Sequence, residues 1–334
     1  MTSPPPLVER SSETGDPAFL TEATSALDHS LKLTPGDYAA QKIRISISLG
    51  QHRFAEALEF AKFLNHRVPD DLAVWCLLAQ AHLAIGNYAE AQKAAQWALD
   101  LRQGNIAAYL PAAQLREAFG DLEGAIDFLN EALHRTPESE PPARAFLLTE
   151  QARLTLLTGN PKRAADLLAE AFALYPDYHH ALRVSASLEQ ASAHYGKAAA
   201  LLSHRYQQVK TTEALYDWAE ALDQAGQKAE ATAAFQDFET KALAQAKQPE
   251  NGNRELIFYY ADRCAKPVKA LEIAKQERAS RHDIATLDAY AWALFRNGKI
   301  AEAIAESKEA LAVGTRDPQV LSHACAIASA SSIN

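Results

Sequence analysis

Eleven histidines and 42 acidic residues give this chain the side chains for metal binding or proton transfer, so their spacing comes first. The densest group is His179-His180 with His194 and His204 in the same stretch. A zinc site needs three or four ligands that converge, each ring oriented by a partner on its other nitrogen. Adjacent histidines diverge on a helix, and no cysteine joins this group, so the spacing favours helix-terminal or surface histidines over a metal site. Cys76, Cys264 and Cys325 form neither a CxxC pair nor a disulfide framework. Cys76 and Cys325 lie among apolar residues and read as small core fillers, with a reducing compartment as the default. No GxSxG, HExxH, glycine-rich phosphate loop or EF-hand loop occurs. The carboxylates recur with lysines at helical spacing, which reads as solvated helix faces. The expectation is a non-enzyme with no catalytic residues, no cofactor and no metal.

Charge and hydropathy narrow the partners. The formal net charge is −9 and no Lys/Arg run stands out, so nucleic acid is not an expected partner. No segment approaches the length of an apolar membrane span, so no membrane insertion is expected. The opening MTSPPPLVERSSETGD has no apolar core of a signal peptide, which points to a cytoplasmic protein, and its Pro, Ser and Glu content makes 1–16 an expected disordered tail.

The elements that must position any site are set by a spacing of 34. Pro35, Pro69, Gln103 and Pro137 lie 34 apart, as do Ala57, Ala91 and Ala125, and Gly86 and Gly120. Such a period predicts stacked helix–turn–helix units sharing one continuous core. Abundant alanine and a 48% hydrophobic content suit helices. In 72–105, Trp75, Leu78, Ala79 and His82 make one helical face, Gly86-Asn87 breaks the chain, and Tyr88, Ala91, Ala95 and Ala98 make the next. Units follow at 38–71, 106–139, 145–178, 179–211, 212–250, 251–283 and 284–317, about eight in all plus partial ones at each end, with 318–330 as a last helix. Unit 179–211 is degenerate, anchored by Ala198 and Leu202. KIRISISL (42–49) alternates like a strand, but an isolated strand would lack a partner, and its Ile43/Ile47 and Ile45/Leu49 pairs predict helix. PENGN (249–253) is the strongest internal breaker. It divides the array into 17–248 and a continuation at 249–334.

These residues resemble the tetratricopeptide repeat. Trp75, Leu78, Ala79, Gly86, Tyr88, Ala91 and Ala98 match its pattern, with Gln103 in place of the late Pro; Tyr109, Ala113, Gly120, Ala125, Ala132 and Pro137 match it again. The resemblance implies an all-α, right-handed α-solenoid of antiparallel helix pairs. It further implies a non-catalytic interaction scaffold whose concave groove, lined by the first helix of each unit, takes a peptide or helix of a partner protein. Carried over by position, the groove residues are Gln80, Gln114, Arg153, His180, Arg183, Tyr216, Glu220, Asp223, Tyr259, Asp262, Trp292 and Phe295. The middle of that set is basic and the following units acidic with tyrosines between, though the aromatics also suit helix-to-helix packing. The Lys, Asn and Arg set with which some members grip chaperone C-termini is not recognisable, since Cys76, Gln80, Leu110 and Gln114 stand at the corresponding positions. Two other readings stay open. The chain is then a structural adaptor self-associating as a homo-oligomer through 318–330, or it holds a small ligand in an enzyme-like pocket near 179–211.

Overall fold

The computed structural model describes residues 6–16, 18–245 and 254–331. Among these residues the chain is helical and contains no strand. Helices α1 (Leu7–Thr14) and α2 (Ala18–Leu33) lead into pairs: α3 (Tyr38–Gly50) with α4 (Phe54–Arg67), and α5 (Leu72–Ile85) with α6 (Tyr88–Leu101). Next come α7 (Ile106–Ala118) with α8 (Leu122–Arg135), α9 (Pro141–Leu157) with α10 (Pro161–Leu174), and α11 (His179–Ala191) with α12 (Tyr195–Val209). Then α13 (Thr212–Gln224) pairs with α14 (Lys228–Gln245). Helix α15 (Arg254–Phe258) runs on through a π-helical turn, Tyr259–Arg263, and pairs with α16 (Pro267–Ser280). Last are α17 (Ile284–Arg296) with α18 (Ile300–Ala312), and α19 (Pro318–Ser331). KIRISISL is helical as expected, within α3.

Three positions of the repeat explain why the pairs form. In five units the residue before the first helix is Asp37, Asp71, Asn105, Thr211 or Asp283, and each side chain accepts a hydrogen bond from a free backbone N–H of the first turn; Glu140 and Tyr178 at the same place make no such bond. The fifteenth position holds the turn between helices. Its backbone is left-handed in every unit: at Gly86, Gly120, Gly159, Gly226 and Gly298, but also at His52, Ala193 and Ala265. The twentieth position is alanine throughout. Ala57, Ala91, Ala125, Ala164, Ala198, Ala231, Ala270 and Ala303 are all buried, because two helix backbones meet there and a larger side chain would hold them apart.

The same spacing reaches further back than the expected tail boundary. Within 1–16, residues Leu7–Thr14 form α1, ended by Gly15 at φ 68°. Leu7 and Val8 pack with Ala23, Leu27, Ala40 and Ile47, and it is this apolar contact that makes an otherwise polar segment helical. Ala23 lies 34 before Ala57, so α1 and α2 form a further unit with a shortened first helix. The PENGN breaker lies outside the described residues. On its two sides the core is continuous: Phe235 and Phe238 of α14 pack on Tyr259, and Glu239 accepts hydrogen bonds from Tyr259 (3.2 Å) and Tyr260 (2.8 Å).

The array curls until early units touch late ones. The His282 N–H donates to the Ile85 carbonyl (2.9 Å) and the Ile284 N–H to the Tyr88 hydroxyl (2.9 Å). The Gly120 turn rests on the backbone of Gly314, Arg281 lies over the Phe54 ring, and the Gly15 turn rests on Val209. His179 Nε2 lies 3.3 Å from the Ser12 carbonyl.

Candidate functional site

The first helices of the units carry a ladder of ion pairs from one unit to the next. Arg153 forks onto Glu117 one unit back (2.6 and 2.7 Å) and also bonds Glu150 (2.8 Å). Arg183 reaches one unit forward to Glu213 (2.7 Å) and Asp217 (3.1 Å). Arg263 bonds Glu220 and Asp223 one unit back, the latter at 2.7 Å. Arg296 continues the series to Asp262 at 3.2 Å. Each arginine is thus engaged by carboxylates of a neighbouring unit, and the planar guanidinium is the group that can serve two carboxylates at once. The basic middle and the acidic stretch after it are two sides of one set of inter-unit pairs.

Sequence reasoning did not single out the residue at the heart of this ladder. Arg205 is 3% exposed and occupies the twenty-seventh position of its unit, where Ala98, Ala132, Ala171 and Ala310 stand in four other units and Leu64, Phe238 and Glu277 in the rest. Its guanidinium donates to Asp217 (2.9 Å) and Glu213 (3.2 Å), completing a square of two arginines and two carboxylates with Arg183. Its Nε has no partner. Burial opposes the charge of Glu213, yet Arg183 and Arg205 outweigh it and hold this carboxyl at about 2. Burial pushes Asp217 the other way, above the usual carboxylate range. The signal was available: a long cationic side chain at a small-residue position needs a buried anion.

The aromatic and histidine positions are built into the same wall. Tyr259 is buried, stacked on Phe235 at 5.7 Å. Tyr216 is half-buried against Phe238 (5.0 Å). Trp292 donates its Nε1–H to Asp262 (2.9 Å) and stacks on His323 of α19 at 4.0 Å, with Phe295 beside it. His323 in turn pairs with the buried Asp288 (2.9 Å). His180 lies against Phe146, Tyr178 and His179; burial, with Arg205 nearby, pulls it down to about 4, and burial takes His179 to about 3. Both rings are therefore neutral at pH 7. Among the described residues no group of three or more His, Cys, Asp or Glu side chains is placed to hold a metal ion.

Gln80 and Gln114 are half-buried on α5 and α7 and carry no charge. Gln114 lines a cavity of about 330 Å³ where the array meets itself, between Tyr88 and Glu117 on one side and Arg254, Phe258 and Asp288 on the other. At the far end, Val320 and Ile327 of α19 are buried on the preceding pair, while Leu321 is 44% exposed and Cys325 is also exposed.

Antiparallel helix pairs in a 34-residue repeat, with small residues where the helices cross, define an α-solenoid. The tetratricopeptide-repeat family profile matches residues 48–96. Solved solenoids share the fold across most of the chain. A chain of the anaphase-promoting-complex hetero-tetramer Cut9–Hcn1 matches with TM-score 0.52 and 12% identity, covering 93% of this chain and 52% of its own. This protein therefore spans about half the length of that chain. Human IFIT1, solved as a dimer with m7Gppp-AAAA, matches with TM-score 0.58 and 14% identity over 89% of this chain and 78% of its own. A thermophilic tetratricopeptide-repeat protein of Thermus thermophilus matches with TM-score 0.50 and 19% identity over 55% of this chain and 98% of its own. A sequence search of curated proteins gives no match. The profile match over 48–96 and the shared fold support a tetratricopeptide-repeat solenoid, a fold that in general supports protein interaction. No helix among the described residues is long and apolar enough to cross a membrane.

Proposed function

We propose that this chain is a non-catalytic scaffold that binds an extended peptide segment of a partner protein on its inner face. The observation that carries this reading is the ion-pair ladder. Fixed inward rows of guanidinium, carboxylate and amide groups offer a polypeptide both donors and acceptors, and their inter-unit pairing holds each in place before any ligand arrives. A polyanion, such as the ligand seen with IFIT1, fits less well: the inner arginines Arg153, Arg183, Arg263 and Arg296 are each engaged by carboxylates, and the net charge is −9.

Substituting the ladder itself would disturb the fold, so the test uses the uncharged inner positions. A photo-crosslinking residue is placed at Gln80 or Gln114, and for comparison at Gln92 or Glu131, which are exposed on the second helices. The protein is then irradiated in lysate of its source. A single polypeptide crosslinked from the inner positions and absent from the outer ones is expected. The same products from both sets, or products from the outer set alone, would move the binding surface to the convex side.

A further inference from the structure

We propose that the array is a gated ring: the seam where its early turns meet its late loops opens and closes, and this movement controls access to the inner face. This rests on the inner face being the binding surface. The seam is built unlike the joints between successive units. Those joints are continuous apolar cores, whereas no apolar cluster among the described residues spans the seam. What meets there is mostly backbone, glycine and polar side chain, with the Phe54 ring under Arg281 and with Leu83, Phe258, Ile284 and Val320 lining the cavity. Two hydrogen bonds cross it, from His282 N–H to Ile85 and from Ile284 N–H to Tyr88. At Gly86 a methyl group would overlap the backbone of His282 and Asp283; at Gly120 it would overlap the Gly314 carbonyl. Hydrogen bonds that exchange protein for water contribute little net, so a contact of this kind separates without exposing a core. The cavity beside Gln114 takes walls from both sides of the seam, so its enclosure depends on the closed state.

The repeat itself supplies the control for a test. Gly86, Gly120, Gly159 and Gly298 share the left-handed turn position, and an alanine is strained at all four. Only at Gly86 and Gly120 would the added methyl group also strike the opposite side of the seam; at Gly159 and Gly298 it meets open space. In a background with Cys264→Ser and Cys325→Ser, Gln114→Cys reports access through its rate of reaction with a maleimide polymer. Amide exchange at His282 and Ile284 reports the seam. The Gly86→Ala/Gly120→Ala protein should react about tenfold faster and lose protection at both amides, while Gly159→Ala/Gly298→Ala should match the parent in both readouts. If the two doubles behave alike, or if His282 and Ile284 are unprotected in the parent, the gate is wrong. No partner is present in this experiment, so its failure is distinct from a failure of the crosslinking that tests the peptide reading.

Discussion

The unit at 72–105 and the unit at 179–211 have the same two-helix form and reach it by different chemistry. The first has glycine at the turn (Gly86) and alanine at the twenty-seventh position (Ala98). The second has Ala193 in the left-handed turn and Arg205 buried where the alanine would be. One is held by close helix contact, the other by a square of charges shared with the unit that follows. The contrast teaches that a lapse in a repeat pattern need not mean a looser structure. It marks where the interior of the superhelix has been given a polar task.

Exchanging the two solutions is the harshest test of that contrast. Ala98 is fully buried among the apolar residues Cys76, Ala108 and Leu99. Ala98→Arg should cost more than about 4 kcal/mol, by overpacking and by burying an unpaired charge. The reverse, Arg205→Ala, restores the repeat's usual residue yet should also destabilise, by about 3 kcal/mol, because Glu213 and Asp217 lose a partner. That figure sits at the low end for a broken buried pair, since Glu213 keeps contact with water and with Arg183. Urea denaturation followed by circular dichroism measures both. A neutral or stabilising Arg205→Ala would reduce the charge square to an accident of the surface.

Acid separates the two regions next. Glu213 is held at about 2, below the ordinary 4.5, so its contribution is present above pH 4.5 and is lost as pH falls from there towards 2. His180 and His179 sit at about 4 and 3, below the ordinary 6.5, which means the folded state resists protonation that the unfolded chain accepts. Their contribution is therefore present above pH 6.5 and declines as pH drops through 6 and 5. Midpoints of urea unfolding taken from pH 7 to 4.5 should fall, and His180→Gln should flatten part of that slope. An unchanged slope would place the buried-histidine effect elsewhere, because Glu213 titrates below this window.

Much of the architecture could be read from the chain before any coordinates. The 34-residue spacing locates the helix pairs, and it outweighs the period-two alternation of 42–49, which is helical in α3. The ladder was less legible. Arg153 and Arg183 were identified by position, but their carboxylates lie on neighbouring units, and pairing between units depends on how far each unit is rotated against the next. The seam was not legible at all. Ile284 meets Tyr88 across 196 residues, and that contact follows from the accumulated curvature rather than from any local pattern. Arg205 is the instructive miss, because the signal was local: it stands in register with Ala98, Ala132, Ala171 and Ala310.

The smallest effect expected is also the one that most directly tests the turn. Ala193 and Ala265 hold φ at 57° and 50°, in the region where a β-carbon crowds the following carbonyl oxygen. The five glycines at the equivalent position avoid that conflict, at the expense of a more flexible unfolded chain. The two terms oppose each other, and the left-handed strain of roughly 1–2 kcal/mol is the larger. Ala193→Gly and Ala265→Gly should therefore each stabilise by about 0.5–1 kcal/mol. The gain should appear as an upward shift of the urea midpoint with an unchanged slope, since neither substitution alters the buried surface. Destabilisation in both would mean that the left-handed turn is not the form these units adopt, and that glycine at the fifteenth position serves the regular units in some other way.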